Sequence, residues 1–321
     1  MPYRKTIYAE KAMRSIRVFL TDKCNAECNN CFNRSLRTDN SFMDISKFEL
    51  LCKYFSENKV AGIKIMGGEP TLHPNFTEML QIAQSHFDKV SLFSNAINDR
   101  ICSFRPREND GISYNFRFHH YLSIKKMLLN YPGYRSFVII INKSLDEKQI
   151  IKDITTLNKS FNGRPIVMLS LDCTSNIFRD KKILVSKFEI INQELTNIGI
   201  SVRIDHALPI CFTYGTTVLN PIGGALCNTG CAGLIDANFN LFYCNQTHNK
   251  LINLFENDKI IPFSIVENHL QRIYYQRQLD ALNKICINCT IFNTLCNGGC
   301  YITNNNITHN DIILNTKLPI V

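Results

Sequence analysis

The sequence predicts a mixed α/β fold, with parallel βαβ units followed by a smaller cysteine-rich part. Three observations support this. Apolar strand-like runs alternate with helical periodicities from about residue 15 to residue 205, a rhythm that argues for parallel strands joined by right-handed crossovers. Polar motifs fall where three of these strands end, at residues 24–31, 67–70 and 94–95, and α/β folds gather ligands at C-terminal strand ends. Past Ile204 the helical periodicity weakens, and seven cysteines fall between residues 227 and 300.

The elements follow in order. Residues 16–21 (IRVFLT) form the first expected strand. Asp44 reads as the N-cap of a helix over about 45–59, with Ile45, Phe48, Leu51, Cys52 and Phe55 on one face, which makes Cys52 a core thiol. A strand over 62–66 ends in Gly67-Gly68-Glu69-Pro70, a helix covers about 75–87, and a strand over 89–93 ends in Ser94-Asn95. Further strands are expected at 112–118, 136–142 and 166–172, with helices near 122–130, 146–158 and 186–197. The boundary between the two parts is expected near residue 205, dividing the chain into 1–205 and 206–321.

The spacing Cys24-x3-Cys28-x2-Cys31 puts three thiols on the loop after the first strand. A [4Fe–4S] cluster takes a thiolate on each of four irons, so three clustered thiolates leave one iron open. Zinc sites pair ligands as C-x2-C and close with four, and disulfide frameworks belong to short secreted chains. Both fit this loop poorly. The spacing resembles that of the radical S-adenosylmethionine (SAM) superfamily, whose fold is an open (β/α)6 partial barrel. That resemblance implies that SAM chelates the open iron through its amino and carboxylate groups. It further implies that SAM is cleaved reductively to methionine and a 5′-deoxyadenosyl radical, which abstracts hydrogen from a substrate. The position before the third cysteine, usually aromatic in the family, is Asn30 here, with Phe32 one place late.

Gly67-Gly68-Glu69-Pro70 resembles the family's GGEP motif. Two glycines let a backbone approach a ligand without a Cβ clash, and the resemblance implies that these peptide groups, with Glu69 near, bond the ammonium of SAM. Ser94-Asn95 matches where family members hydrogen-bond SAM's ribose or carboxylate, though a strand-end Ser-Asn is also an ordinary turn pair. Asn142 is a candidate of the same kind, and His119-His120 carries no ligand role. No catalytic residue is assigned beyond the cluster.

The later cysteines are Cys227, Cys231, Cys244, Cys286, Cys289, Cys296 and Cys300. The run Cys286-x2-Cys289-x6-Cys296-x3-Cys300 resembles the core of SPASM domains, one residue longer in the middle. Residues 231–244 resemble the hairpin that precedes that core, with Phe239 where the family usually has glycine, so Asn238 is expected to take the turn. The resemblance implies one auxiliary [4Fe–4S] cluster on Cys227, Cys231, Cys244 and Cys300. A second would sit on Cys286, Cys289 and Cys296, with an open iron or a non-cysteine ligand such as His309 or Asp311. One auxiliary cluster, or a structural zinc on the last four cysteines, are the alternatives. Cys211 is a substitute ligand, while Cys102 and Cys173 read as packing thiols.

The chain has 321 residues, 45% hydrophobic and 20% charged, with a net charge of +9 and fourteen cysteines. The charge is spread along the chain, so neither a nucleic-acid nor a membrane partner is expected, and no signal-peptide core opens the sequence. A cytoplasmic enzyme is expected, where so many cysteines point to metal rather than disulfides. Net oxidation of a ribosomally made peptide is the leading expectation, by crosslink, thioether or a related maturation. A separate leader-binding protein and an electron donor such as flavodoxin or ferredoxin would be its partners. A radical SAM dehydrogenase of a small molecule and a non-catalytic iron–sulfur carrier or scaffold are the alternatives.

Overall fold

The computed structural model describes residues 15–28, 31, 33, 41–115, 134–159, 165–171, 180–204, 231–242 and 250–280. The chain divides into two compact units, Met1–Arg135 with Gly230–Ile273, and Ser136–Thr229 with Tyr274–Val321.

In the first unit β1 (Ser15–Phe19), β2 (Gly62–Met66), β3 (Lys89–Ser94) and β4 (Gly111–Asn115) pair in parallel in that order. Parallel neighbours need crossovers. These include α1 (Ile45–Glu57) and α2 (Phe76–His86), which pack on each other. Asp44 caps α1, accepting from Lys47 N at 2.8 Å, and Phe48, Leu51, Cys52 and Phe55 are its buried face. On β1 and β2 the alternate positions Ile16, Val18, Ile63 and Ile65 are likewise fully buried, the period-2 counterpart of the period-3.6 face of the helix.

The cysteine-rich part also enters this unit. β8 (Cys231–Ile235) pairs in parallel with β1, and β9 (Asn240–Phe242) and β10 (Lys250–Asn253) continue antiparallel from it. Phe19, Leu234 and Phe242 form one buried cluster with Met66 against it. A two-residue ladder, β11 (Phe255–Glu256) and β12 (Lys259–Ile260), precedes α5 (Phe263–Asp280). Phe263 sits edge-on to Tyr54 and Phe55 of α1, with centroids 5.7 and 6.2 Å away.

In the second unit β5 (Tyr134–Ile141), β6 (Ile166–Leu171) and β7 (Ser201–Ile204) are parallel, with α3 (Glu147–Asn158) and α4 (Lys181–Asn197) packed on each other. Lys187 reaches from α4 to Glu147 at 2.6 Å and to the Leu145 carbonyl, tying the start of α3.

The expected mixed α/β class with mostly parallel strands is what forms. Two local expectations are corrected. Helix α4 begins at Lys181 rather than near 186, because Leu184 already lies on the buried stripe with Phe188, Ile191 and Leu195. Strand β7 was not expected, since its four residues alternate between exposed and half-buried and offer almost no apolar signal. The expected helix near 122–130, the continuation of β4 over 116–118, His119-His120 and the boundary near 205 lie outside the described residues. Among the described residues no helix is long and apolar enough to cross a membrane.

Candidate cofactor site

The loop after β1 is fastened at both ends. Thr21 forms a β-bridge with Phe42 and donates its hydroxyl to Ser41 O at 2.8 Å. The Ser41 hydroxyl donates to Asp22 Oδ2, and Asp22 N to Ser41 O at 3.4 Å. His73 adds a third tie. Its Nε2 lies 2.9 Å from Met43 O while Nδ1 accepts from Asn75 N, so the ring is the neutral Nε2–H form, in keeping with a pKa lowered by burial. Arg100 braces the same turn, donating to Thr71 O, His73 O and Pro74 O.

Cys24, Cys28 and Cys31 lie half-buried on this loop, with a turn closed by Cys31 N donating to Cys28 O at 3.2 Å. Among the described residues no three His, Cys, Asp or Glu side chains stand close enough to hold a metal ion, these cysteines included.

Gly67 and Gly68 lie against the backbone of the cysteine loop. The pairing of β1 with β2 runs on past the strands: Gly68 N donates to Thr21 O at 2.8 Å and Glu69 N to Lys23 O at 2.7 Å. A Cβ on Gly67, whose φ is +152°, would stand 2.4 Å from Thr21 O, and one on Gly68 only 2.2 Å from Lys23 O. The close approach that these glycines permit is to the cysteine loop itself. The motif is legible in the sequence, but its neighbour is the chain's own backbone.

Glu69 is fully buried, and its carboxylate ties β2 to β3. Oε1 accepts from Thr71 Oγ1 at 2.7 Å, Ser94 Oγ at 2.8 Å and Thr71 N at 3.3 Å, while Oε2 accepts from Asn95 N at 2.8 Å. Burial raises its pKa, and these hydrogen bonds only partly offset that. Each of those donors is neutral.

Ser94 and Asn95 are buried at the end of β3. The Ser94 hydroxyl also accepts from Ala96 N at 3.0 Å. Asn95 Oδ1 accepts from Ile97 N at 3.0 Å, and its Nδ2 donates to Asn25 Oδ1 at 2.9 Å and stands 3.9 Å from Cys24 Sγ. The structure thus brings Gly67, Gly68, Glu69, Ser94, Asn95 and Cys24 to one place. Asn142 belongs to the second unit, where its Oδ1 accepts from Ser144 N and Oγ in a turn after β5. Cys52 is the core thiol expected, its pKa raised by burial, and Cys102 is half-buried.

Sequence reasoning missed Thr71, His73, Arg100, Asn25 and Asn33, for which no motif exists. Asn33, two residues past Cys31, is buried with neither amide atom hydrogen-bonded, and Asn115 at the end of β4 buries an unbonded Oδ1. Buried polar groups ordinarily have partners. Three half-buried thiols on one loop, the unbonded Asn33 amide beside them and the buried Glu69 carboxylate at the end of β2 are donors of the kind that an iron–sulfur cluster with a polar ligand would use.

Of the later cysteines, only the backbone of Cys231 is described, at the start of β8. Cys227, Cys244, Cys286, Cys289, Cys296 and Cys300 lie outside the described residues, as do Cys173, Cys211, Asn30, Phe32, His309 and Asp311. The hairpin between β8 and β9 is described and corrects one expectation. The left-handed residue is Phe239, with φ 62°, and Asn238 lies beside it in the turn. Asp236 holds the turn by accepting from Asn238 N and Asn240 N, and Phe239 is buried against Phe255 with centroids 4.9 Å apart. That packing offsets a backbone conformation usually left to glycine.

A family described as a 4Fe-4S single cluster domain matches residues 13–101, the segment that contains Cys24, Cys28, Cys31, Gly67, Gly68, Glu69, Ser94 and Asn95. The probable GTP 3′,8-cyclase of Methanopyrus kandleri is 31% identical over 87 residues, covering 27% of this chain and 28% of that protein. The sporulation killing factor maturation protein SkfB of Bacillus subtilis is 32% identical over 81 residues, 25% of this chain and 20% of that protein. The matched stretch thus spans less than a third of these curated relatives. Among solved structures, Streptococcus suis SuiB bound to its precursor peptide SuiA superposes with a TM-score of 0.67 at 14% identity, covering 97% of this chain and 74% of that one. The same protein bound to S-adenosylmethionine gives 0.64 at 14% identity, over 91% and 74%.

Proposed function

We propose that this chain is a radical SAM enzyme, which cleaves SAM reductively at a [4Fe–4S] cluster held by Cys24, Cys28 and Cys31 and oxidatively modifies a ribosomally made peptide. The observation behind the cofactor part is the meeting of the cysteine loop with the Gly67-Gly68-Glu69 backbone, inside a segment that matches a cluster domain. The peptide part is supported by likeness of fold to SuiB, solved with its precursor peptide, and by the stretch shared with the maturation protein SkfB.

A cluster held by Cys24, Cys28 and Cys31, together with bound SAM, would supply the electron and the radical chemistry. The chain's residues bind and orient. The ties at Thr21, Ser41 and Asp22 fix the ends of the cysteine loop, and Gly68 N and Glu69 N hold its first residues against β2. Glu69 adds a buried carboxylate whose pKa is raised by burial and whose donors are all neutral, so a cationic ligand at these strand ends would favour its charged form. Ser94 and Asn95 line the same end, and Asn33, two residues past Cys31, offers an unbonded amide to a polar ligand. One or two auxiliary clusters would be held by Cys227, Cys231, Cys244, Cys286, Cys289, Cys296 and Cys300, and would supply electron-transfer capacity for a net oxidation. A flavodoxin or ferredoxin would supply the electron that starts each turnover.

The test is anaerobic reconstitution with iron and sulfide, then SAM, dithionite and the product of any short open reading frame found beside the gene. The wild type is expected to form 5′-deoxyadenosine and remove hydrogen from the peptide by mass spectrometry. A variant with Cys24, Cys28 and Cys31 all changed to Ala should do neither, and the iron it keeps counts the auxiliary clusters. Deoxyadenosine without any change in peptide mass would favour a small-molecule substrate. None at all from a fully iron-loaded wild type would favour a carrier.

A further inference from the structure

The carboxamide of Asn95 has one orientation open to it. Its Oδ1 accepts from Ile97 N at 3.0 Å, so the amide nitrogen faces the opposite way. There Nδ2 donates to Asn25 Oδ1 at 2.9 Å and lies 3.9 Å from Cys24 Sγ. The backbone is held separately, by Asn95 N donating to Glu69 Oε2 at 2.8 Å. The two hydrogens of one NH2 group therefore address two neighbouring side chains on the cysteine loop, and one of them is a sulfur.

We infer that Asn95 is a positioning residue that tunes the reduction potential of the cluster, by donating an N–H···S hydrogen bond to the Cys24 thiolate. The inference rests on the reading that Cys24, Cys28 and Cys31 hold that cluster. Reduction adds negative charge to the cluster and its thiolates. A fixed N–H dipole aimed at a ligand sulfur stabilises the reduced form more than the oxidised one, so it raises the potential. A thiolate also accepts more strongly than the thiol, which tightens a contact at the long end of the N–H···S range. The Glu69–Asn95 backbone bond gives the dipole its aim: it anchors the end of β3 independently of the loop that bears the cysteine. With both amide hydrogens so directed, Asn95 acts on the cluster and not as a donor to SAM.

The experiment is an anaerobic potentiometric titration of the reconstituted full chain, followed by EPR. The variant lacking Cys24, Cys28 and Cys31 identifies the part of the signal that belongs to this cluster. Asn95→Ala is expected to shift the midpoint of that part to more negative potential. Asn95→Asp keeps the acceptor for Ile97 N but turns an anionic oxygen toward the sulfur, so it is expected to shift the midpoint further the same way. Asn25→Ala removes the other amide partner and is expected to leave the midpoint at the wild-type value. Midpoints of Asn95→Ala and Asn95→Asp equal to wild type would overturn the inference. A signal wholly unchanged in the triple cysteine variant would overturn the ligand assignment beneath it, which is a distinct result.

Discussion

Two buried carboxylates hold opposite ends of β3, and they are built differently. At its start, Asp110 accepts from Val90 N, Gln84 Nε2, Arg107 N, Arg107 Nε and Arg107 Nη2, at 2.7 to 3.1 Å. Burial alone would raise the Asp110 pKa, but the Arg107 guanidinium and the surrounding N–H groups bring it below its ordinary value. At the far end Glu69 accepts only from backbone and hydroxyl donors, and burial keeps its pKa raised. The start of the strand is a knot neutralised from within. The end holds a carboxylate with only neutral donors, and it is the end that meets the cysteine loop. Stability and chemistry are thus separated along a single strand.

Changes at each end should respond accordingly. Gly68→Ala should be the most damaging, because its Cβ would meet the backbone oxygens of Lys23 and Asp22 at 2.2 and 2.5 Å, and neither can rotate away. A loss of about 3 kcal/mol in chemical denaturation is expected, together with poor iron loading. Asp110→Ala should cost a similar amount, about 2–3 kcal/mol, since it leaves Val90 N buried without an acceptor while the half-exposed Arg107 can turn to water. Iron loading should survive it. Equal loss of iron in the two variants would erase the distinction between the ends.

Glu69→Gln should cost less, about 1–2 kcal/mol, because an amide NH2 must now face Asn95 N or the Thr71 and Ser94 donors. SAM affinity should fall with the lost charge, as read by equilibrium binding. The two acids also act oppositely with pH. Asp110, with a lowered folded pKa, contributes stability that is present above the ordinary carboxylate value and lost as pH falls through its folded value. Glu69, with a raised one, makes stability fall as pH rises from its ordinary 4.5 through its folded value, then level off. Denaturation across acid pH should therefore lose its low-pH decline in Asp110→Asn and its rise-dependent decline in Glu69→Gln. The smallest effect is expected at Ala96, buried with φ 57° just past Asn95. Ala96→Gly relieves about 1 kcal/mol of left-handed strain but adds a comparable entropy cost, so thermal melting should move little.

Much of this was legible in the chain. The cap at Asp44, the apolar face of α1 and the strands β1 to β3 came from local periodicity and capping chemistry, which neighbouring residues settle among themselves. The second unit was less so, since β7 has nearly no apolar pattern and exists through pairing with β6. In the hairpin, Phe239 in a left-handed conformation defeats any rule based on turn propensity. Its side chain is held by Phe255, sixteen positions away, and propensity does not see contacts at that range.

The sequence by itself determined the cofactor class, because thiolate chemistry depends on residue type and spacing, and Cys24-x3-Cys28-x2-Cys31 states both. It also determined that the Gly-Gly-Glu and Ser-Asn motifs belong at strand ends. Only the tertiary structure decided what they do there: Gly67 and Gly68 admit the backbone of Thr21–Lys23, Glu69 binds Ser94 and Asn95, and Asn95 turns its amide toward Cys24. Those roles rest on groups 25 to 71 positions apart along the chain. A hydrogen bond is set by distances of a few tenths of an ångström, and those exist only once β1, β2 and β3 lie side by side.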